Sequence, residues 1–462
     1  MVEAIANGVE DKLIDGLSFK LNPGASYVVD RRSVTYHPQG SNIYKPGAGT
    51  KLIRILLTGD NWLDPSTFRV MFDLNNDETD AGKSLRPLGG PWTFFRRMRI
   101  LCAGQLVEDI MDYNRIHEMI HMMIASESRA NDAAEAFGNL WNTHSWYNGD
   151  LDIRNFQGIG AQKKLTVLFK PLSGILNQNK LLPLRYAPIT IELELVDDAL
   201  EPIISNVPDT APEDKPFAFD KTTSSFLWSI NNVQVKCDVC TLDNALDNSY
   251  AQHLLSGKSL PITYNTFISQ MQTIAGQDNP LLNVSRAITR LKSVFVTLNK
   301  DMVGITRASK VGLKFWNDFF SPMYDSNHDG TLTHNPEGEF EFQLQIGSKL
   351  FPEYPIRSHN EAYYQLKKTL GVQASAVHNF DISALEYRSN KFVIGTDCEK
   401  VLDAGFTGIN TRAGDLLTVR LKYADKGQEV NGVYSNLADR LHIVLHSDQI
   451  MEIRDTGVAV YD

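Results

Sequence analysis

Cysteine is scarce: four residues in 462, at Cys102, Cys237, Cys240 and Cys398. That is too few for a disulfide framework and suits a reducing compartment. Long apolar runs are missing too. Nothing approaches the roughly 20 apolar residues that span a bilayer. The opening stretch MVEAIANGVEDKLIDGLSFK has early acids where a secretion signal has its apolar segment. The expectation is a protein that is soluble when made. Positive charge is also in deficit, with 45 Lys and Arg against 55 Asp and Glu, a net −10 and no basic block at either end. A chain that wraps nucleic acid directly carries a basic arm or stripe, so no direct sequence-specific nucleic-acid binding is expected. There is no G-x-S-x-G. Two G-K-S tripeptides, at Gly82 and Gly257, lack the earlier P-loop glycine, since Asp77 and Gln252 stand there.

What is present is alternation. The chain is 42% hydrophobic and 22% charged, enough for a full core. In TFRVMFDL, residues Phe68, Val70, Phe72 and Leu74 share one face. ITIELEL puts Ile189, Ile191, Leu193 and Leu195 on one side and Glu192 and Glu194 on the other. FEFQLQI, LTVRLKY and LHIVLH, from Phe340, Leu417 and Leu441, repeat the period. Period two means strands with one face on a core and one in water. Turn clusters separate them and helices do not alternate with them, so the fold class is all-β, built of sandwiches. Helical spacing is confined to 3–17, 109–137, 243–256 and 358–370. The stretch 201–224, with Pro202, Pro208, Pro212 and Pro216, reads as a connection between two halves. The segments LTVLFKPLSGILNQNKLLPLRYAPI and FEFQLQIGSKLFPEYPI share a strand–turn–proline theme that suggests a repeat.

Several motifs invite a chemical reading. His117-Glu118-Met119-Ile120-His121 is an H-E-x-x-H, the helical spacing that places two imidazoles on one face around zinc with a glutamate base beside them. A third ligand is missing. Ile124 occupies the position of the glycine in the extended form, and Glu135 is the sole carboxylate downstream with any claim. A packed helix carrying Ile116, Met119, Ile120 and Met123 is the plainer reading. Cys237 and Cys240 lie on an alternating strand, where positions three apart face opposite ways. Asp325, Asn327, Asp329 and Gly330 imitate a calcium loop, but Pro336 stands where the bidentate glutamate belongs and Glu337 comes one place late. Glu192 and Glu194 resemble a carboxylate pair, and Trp141, Trp146 and Tyr147 cluster nearby in sequence; together they keep a carbohydrate-binding or carbohydrate-active sandwich open as an alternative. Arg96, Arg97 and Arg99 form a local basic patch, read as sheet surface or interface.

The segment LFKPLSGILNQNKLLPLRYAPITIELEL, 168–195, resembles the end of the first domain in double jelly-roll major capsid proteins, the lineage of adenovirus hexon, virophages, polinton-like viruses and large DNA viruses. RRSVTYHPQGSNIYKPGAGTKLIRILLTGDNWLDPSTFRVMFDL, GQLVEDIMDYNRIHEM and LHIVLHSDQIMEIRDTGVAVYD are similar to the polinton-like and virophage branch. The resemblance implies two tandem eight-stranded jelly rolls with a few helical insertions. The divisions are an amphipathic arm at 1–22, a first jelly roll at 23–200, the Pro-rich linker at 201–224 and a second jelly roll at 225–462. It further implies a homotrimer forming a pseudo-hexameric capsomer. The partners are then neighbouring capsomers, penton and minor capsid proteins, and the place is an icosahedral virion around double-stranded DNA. Membrane contact is left open. No catalytic residue, metal or cofactor is implied, and H-E-x-x-H becomes a structural helix.

Overall fold

The computed structural model describes residues 27–47, 50–87, 89–137, 158–203, 225–274, 277–299, 319, 321–322, 340–371, 382, 387, 391–399, 408–412, 416–423, 429–430, 433–434 and 437–462. The first eight long strands are β1 (Val28–Tyr36), β2 (Leu52–Leu57), β3 (Trp62–Asn76), β4 (Phe95–Cys102), β5 (Gln105–Met111), β6 (Lys164–Phe169), β7 (Ile189–Leu195) and β8 (Trp228–Leu242). The next eight are β9 (Leu260–Thr273), β10 (Leu281–Val284), β11 (Leu291–Asn299), β12 (Phe340–Ile346), β13 (Lys349–Ile356), β14 (Val393–Asp397), β15 (Leu417–Tyr423) and β16 (Arg440–Arg454). Among the described residues four α-helices join them: α1 (Tyr113–Met123), α2 (Ser126–Glu135), α3 (Asn244–Leu255) and α4 (His359–Thr369).

The pairing repeats. The first eight strands form sheets ordered β1-β8-β3-β6 and β2-β7-β4-β5; the second eight form β9-β16-β11-β14 and β10-β15-β12-β13. Adding eight to each strand number turns one sandwich into the other. All these neighbours are antiparallel, for example β3 with β8 and β11 with β16. This is the jelly-roll order, present twice. Each sandwich buries the residues that alternation assigns inward: Ile53, Phe72, Ile191 and Leu193 in the first, Phe342, Leu344, Val419 and Ile443 in the second. Phe72 meets Phe94, Phe95 and Phe169 edge-on, which fixes the first core around one ring.

Local chemistry explains the corners. The β4–β5 hairpin turns on Ala103 and Gly104, with φ of 48° and 81°, the left-handed pair that suits a two-residue turn. Its counterpart, β12–β13, turns at Gly347, φ 59°. Helix α4 starts with a reciprocal cap: Ser358 Oγ accepts from the Glu361 amide, and Glu361 accepts from the Arg357 amide. Asp243 caps α3 through the Ala245 amide. Gly257, φ 80°, closes the same helix, so its G-K-S is a helix terminator.

Two expectations change. Strand β8 follows the Pro-rich stretch, yet it pairs along its length with β1 and β3 of the first sandwich. The prolines do not say which sandwich the next strand joins. The passage to the second sandwich falls at α3. The suggested repeat also pairs unlike parts, since one segment covers β6 to β7 and the other covers β12 to β13. The matching pieces are the hairpins β4–β5 and β12–β13. The amphipathic arm, the calcium-like loop and the Trp141 cluster lie outside the described residues.

Candidate functional site

Helix α1 carries the H-E-x-x-H, and it is buried on nearly every side. His117 stacks on the Trp92 indole at 4.1 Å and 18°, with Tyr113 edge-on at 5.5 Å. His121 lies 4.6 Å from the same indole, and its Nε2 is 3.5 Å from Asp132 Oδ2. Glu118 accepts a hydrogen bond from Trp92 Nε1 at 2.9 Å. Burial pushes the Glu118 carboxyl above its usual range and His117 well below it, the latter helped by His121. A zinc-hydrolase glutamate faces a metal-bound water; this one faces an indole. Among the described residues no three His, Cys, Asp or Glu side chains are placed to hold a metal ion, and Glu135 pairs with Arg69 instead. Equimolar zinc is therefore expected to leave the melting temperature unchanged within about 1 °C. Tight binding to the native state alone would raise it by several degrees.

What α1 does is join the sandwiches. Tyr113 Oη accepts from the Leu172 amide at 2.8 Å, anchoring the helix in the first. Arg115, 4% exposed, reaches into the second, where its Nη2 donates to Thr297 Oγ1 and to the Leu298 carbonyl, both at 3.1 Å. Its guanidinium lies 4.6 Å over the Phe319 ring. The field of Lys391, from the second sandwich, acts on Glu118.

Next to α1, edge strand β5 approaches β9. The edge carbonyls are capped by hydroxyls: Tyr264 Oη donates to Val107 O at 2.9 Å, and Ser269 Oγ to Met111 O at 2.8 Å. These bonds close an edge that would otherwise be open to strand addition. Glu108 sits behind them, fully buried. It accepts from Ser173 Oγ, from the Gly174 amide at 2.9 Å, from the Ile175 amide at 3.3 Å and from Thr266 of β9. Burial raises its pKa, and the four donors oppose that rise. Gly174 meets the Asn265 backbone so closely that a Cβ would stand 1.7 Å from its carbonyl oxygen. Sequence reading missed Glu108, Arg115 and Gly174. Single residues whose partners lie far away along the chain leave no local pattern.

The other motifs resolve into ion pairs and buried thiols. Glu192 lies between Arg54 and Arg99, at 3.2 and 2.8 Å, and Arg97 pairs with Asp109 at 2.6 Å. The carboxylate pair and the basic patch neutralise one another across one sheet face, while Arg96 pairs with Asp197. Cys237 and Cys240 are buried free thiols, and burial pushes Cys237 up to about 12. Lys83 of the first G-K-S pairs with Glu78.

Buried imidazoles give the molecule an acid response. Burial takes His446 down to about 3, and holds His117 and His442 well below 6.5; Arg115 and Arg440 add to His442. These rings are neutral when folded and gain protons on unfolding. Their contribution is full above the unfolded value and lost as pH falls, at about 1.4 kcal/mol per pH unit for each. Glu108 and Glu118, raised by burial, act oppositely: their contribution grows as pH falls towards 4.5 and then levels. The expected melting temperature falls gently from pH 6.5 to about 4.5 and steeply below that. His446→Asn is expected to flatten the lower limb, as followed by thermal melts across pH.

No family model and no curated protein matches the sequence. Solved structures do match in fold. PBCV-1 VP54, fitted into a reconstruction of the virophage Sputnik, aligns with TM-score 0.59 at 11% identity, covering 96% of this chain and 100% of that one. The Sputnik virophage structure aligns at 0.56 and 8% identity, covering 96% and 90%. The Faustovirus major capsid protein aligns at 0.54 and 9% identity, covering 94% and 92%. The shared fold is the double jelly roll.

Proposed function

We propose that this chain is a major capsid protein of a DNA virus in the virophage and polinton-like group, a structural subunit and not an enzyme. The observation that carries the reading is the duplicated strand order, with both sandwiches locked by buried contacts into one block. Three such chains bring six similar sandwiches around a three-fold axis, a tile of near-hexagonal outline that packs in flat arrays on icosahedral facets. The likeness to the PBCV-1, Sputnik and Faustovirus structures supports this. The chain divides at α3, with the first jelly roll ending at β8 and the second starting at β9. The arm at 1–22 meets minor capsid proteins, and pentons fill the vertices. The deficit of basic charge suits a genome packed behind the shell and not wrapped by it.

Light-scattering mass of the purified protein tests the capsomer. Three chains of 51.8 kDa are expected to travel as one stable particle. A monomer at micromolar concentration would argue against the reading.

A further inference from the structure

The outward face of the β2-β7-β4-β5 sheet has an order beyond what one chain needs. Directly opposed residues form three rows across its four strands. The middle row runs Arg54, Glu192, Arg99, Asp109, which alternates in charge. The row on one side runs Leu52, Glu194, Arg97, Met111. The row on the other side runs Leu56, Thr190, Leu101, Leu106. Leu52, Leu106 and Met111 are each more than 40% exposed, so apolar corners frame a self-neutralised centre.

This pattern is its own complement. Let a second copy be turned by 180° about an axis in the contact plane, parallel to the strands and midway between β7 and β4. Every row then meets itself reversed. Arg54 comes opposite Asp109, and Glu192 opposite Arg99. In the second row Leu52 comes opposite Met111, and Glu194 opposite Arg97. In the third, Leu56 comes opposite Leu106, and Thr190 opposite Leu101. No like charges oppose each other, and all four apolar corners meet apolar partners. The equivalent face of the second sandwich is not its own complement: the same operation sets Arg420 opposite Gln343 and Asn283 opposite Leu350.

We propose that this face binds the same face of a second copy across a two-fold axis. A self-matching patch cannot serve the three-fold contacts of a trimer, which join two different surfaces. With strands about 4.8 Å apart and like-facing residues about 6.8 Å apart, the patch covers about 400 Å² per copy. A stable complex buries about 800 Å² per partner. The contact therefore closes within an array, between neighbouring capsomers, where many weak copies act together. The inference rests on the capsid reading for that setting.

The test is a charge swap. Arg54→Glu alone sets a carboxylate opposite Asp109, and Asp109→Arg alone sets a guanidinium opposite Arg54. Each is expected to raise the concentration needed for array or shell assembly about tenfold or more. The double variant restores opposition across the axis and is expected to return to within about threefold of the wild type. Within a single chain the double variant is worse than either single one. The carboxylate introduced at position 54 then faces Glu192, and the guanidinium introduced at position 109 faces Arg97. Rescue therefore reports the contact between copies. As a second readout, Leu56→Cys protein mixed with Leu106→Cys protein is expected to give bis-maleimide-linked pairs, and neither alone is; the native thiols are buried. Trimers and shells that form normally with Arg54→Glu, with no link in the mixture, overturn the contact and leave the capsid reading standing. A wild type that stays monomeric and a mixture that does not link overturn both.

Discussion

Gly174→Ala is expected to cost about 3 kcal/mol or more and to lower the melting temperature by about 3 °C or more. The reason is geometric. A Cβ at this position stands 1.7 Å from the Asn265 carbonyl oxygen and 2.7 Å from its carbon, and both belong to the backbone. No rotamer change relieves the clash, so the Gly174 segment and β9 must move apart. That movement strips donors from Glu108, whose Gly174 and Ile175 contacts lie on the same segment. Calorimetry is expected to show the single unfolding transition broadening or splitting, as the sandwiches lose their common contact. An unchanged transition would mean that the joint is loose enough to absorb a methyl group.

Glu108→Leu is expected to be comparably severe, about 3–5 kcal/mol, because Ser173 Oγ and two backbone amides lose their acceptor inside a buried joint. Glu108→Gln keeps one acceptor oxygen and is expected to cost about 1 kcal/mol. The pair of variants separates hydrogen bonding from charge. Burial raises the folded pKa of Glu108, so the wild-type carboxyl contributes most at low pH and less as pH rises from 4.5 through the folded value. The glutamine cannot ionise, so its deficit against the wild type is expected to shrink as pH rises through that window. Urea denaturation at several pH values measures both effects. A leucine variant as stable as the wild type would remove Glu108 from the joint.

The sheets were legible in the sequence because a strand with one buried face writes its period into the chain. ITIELEL became β7 with the inward set as read, and FEFQLQI became β12. Helices at 109–137, 243–256 and 358–370 appear within a few residues of expectation, although 109–111 belongs to β5. The duplication was legible through the resemblance to double jelly-roll proteins and not as a repeat within the chain. The two sandwiches keep the same strand order with unlike side chains, so topology repeats where sequence does not. The division of the chain was misread for a related reason. A Pro-rich stretch does not fix which sandwich follows it: β7 before it and β8 after it lie in the two facing sheets of the first sandwich. H-E-x-x-H shows the limit of motif spacing. Helical geometry delivers the two imidazoles to one indole as readily as to one metal ion, and Trp92, which decides between them, lies 25 residues before His117 in another element.

The capsid account is tested most directly by averaged electron-microscope images of the purified assembly viewed down its symmetry axis. Three chains carrying two jelly rolls each are expected to give a hexagonal outline with six lobes of density. A particle with one or two lobes, or a ring whose lobe number is not six, would contradict the account.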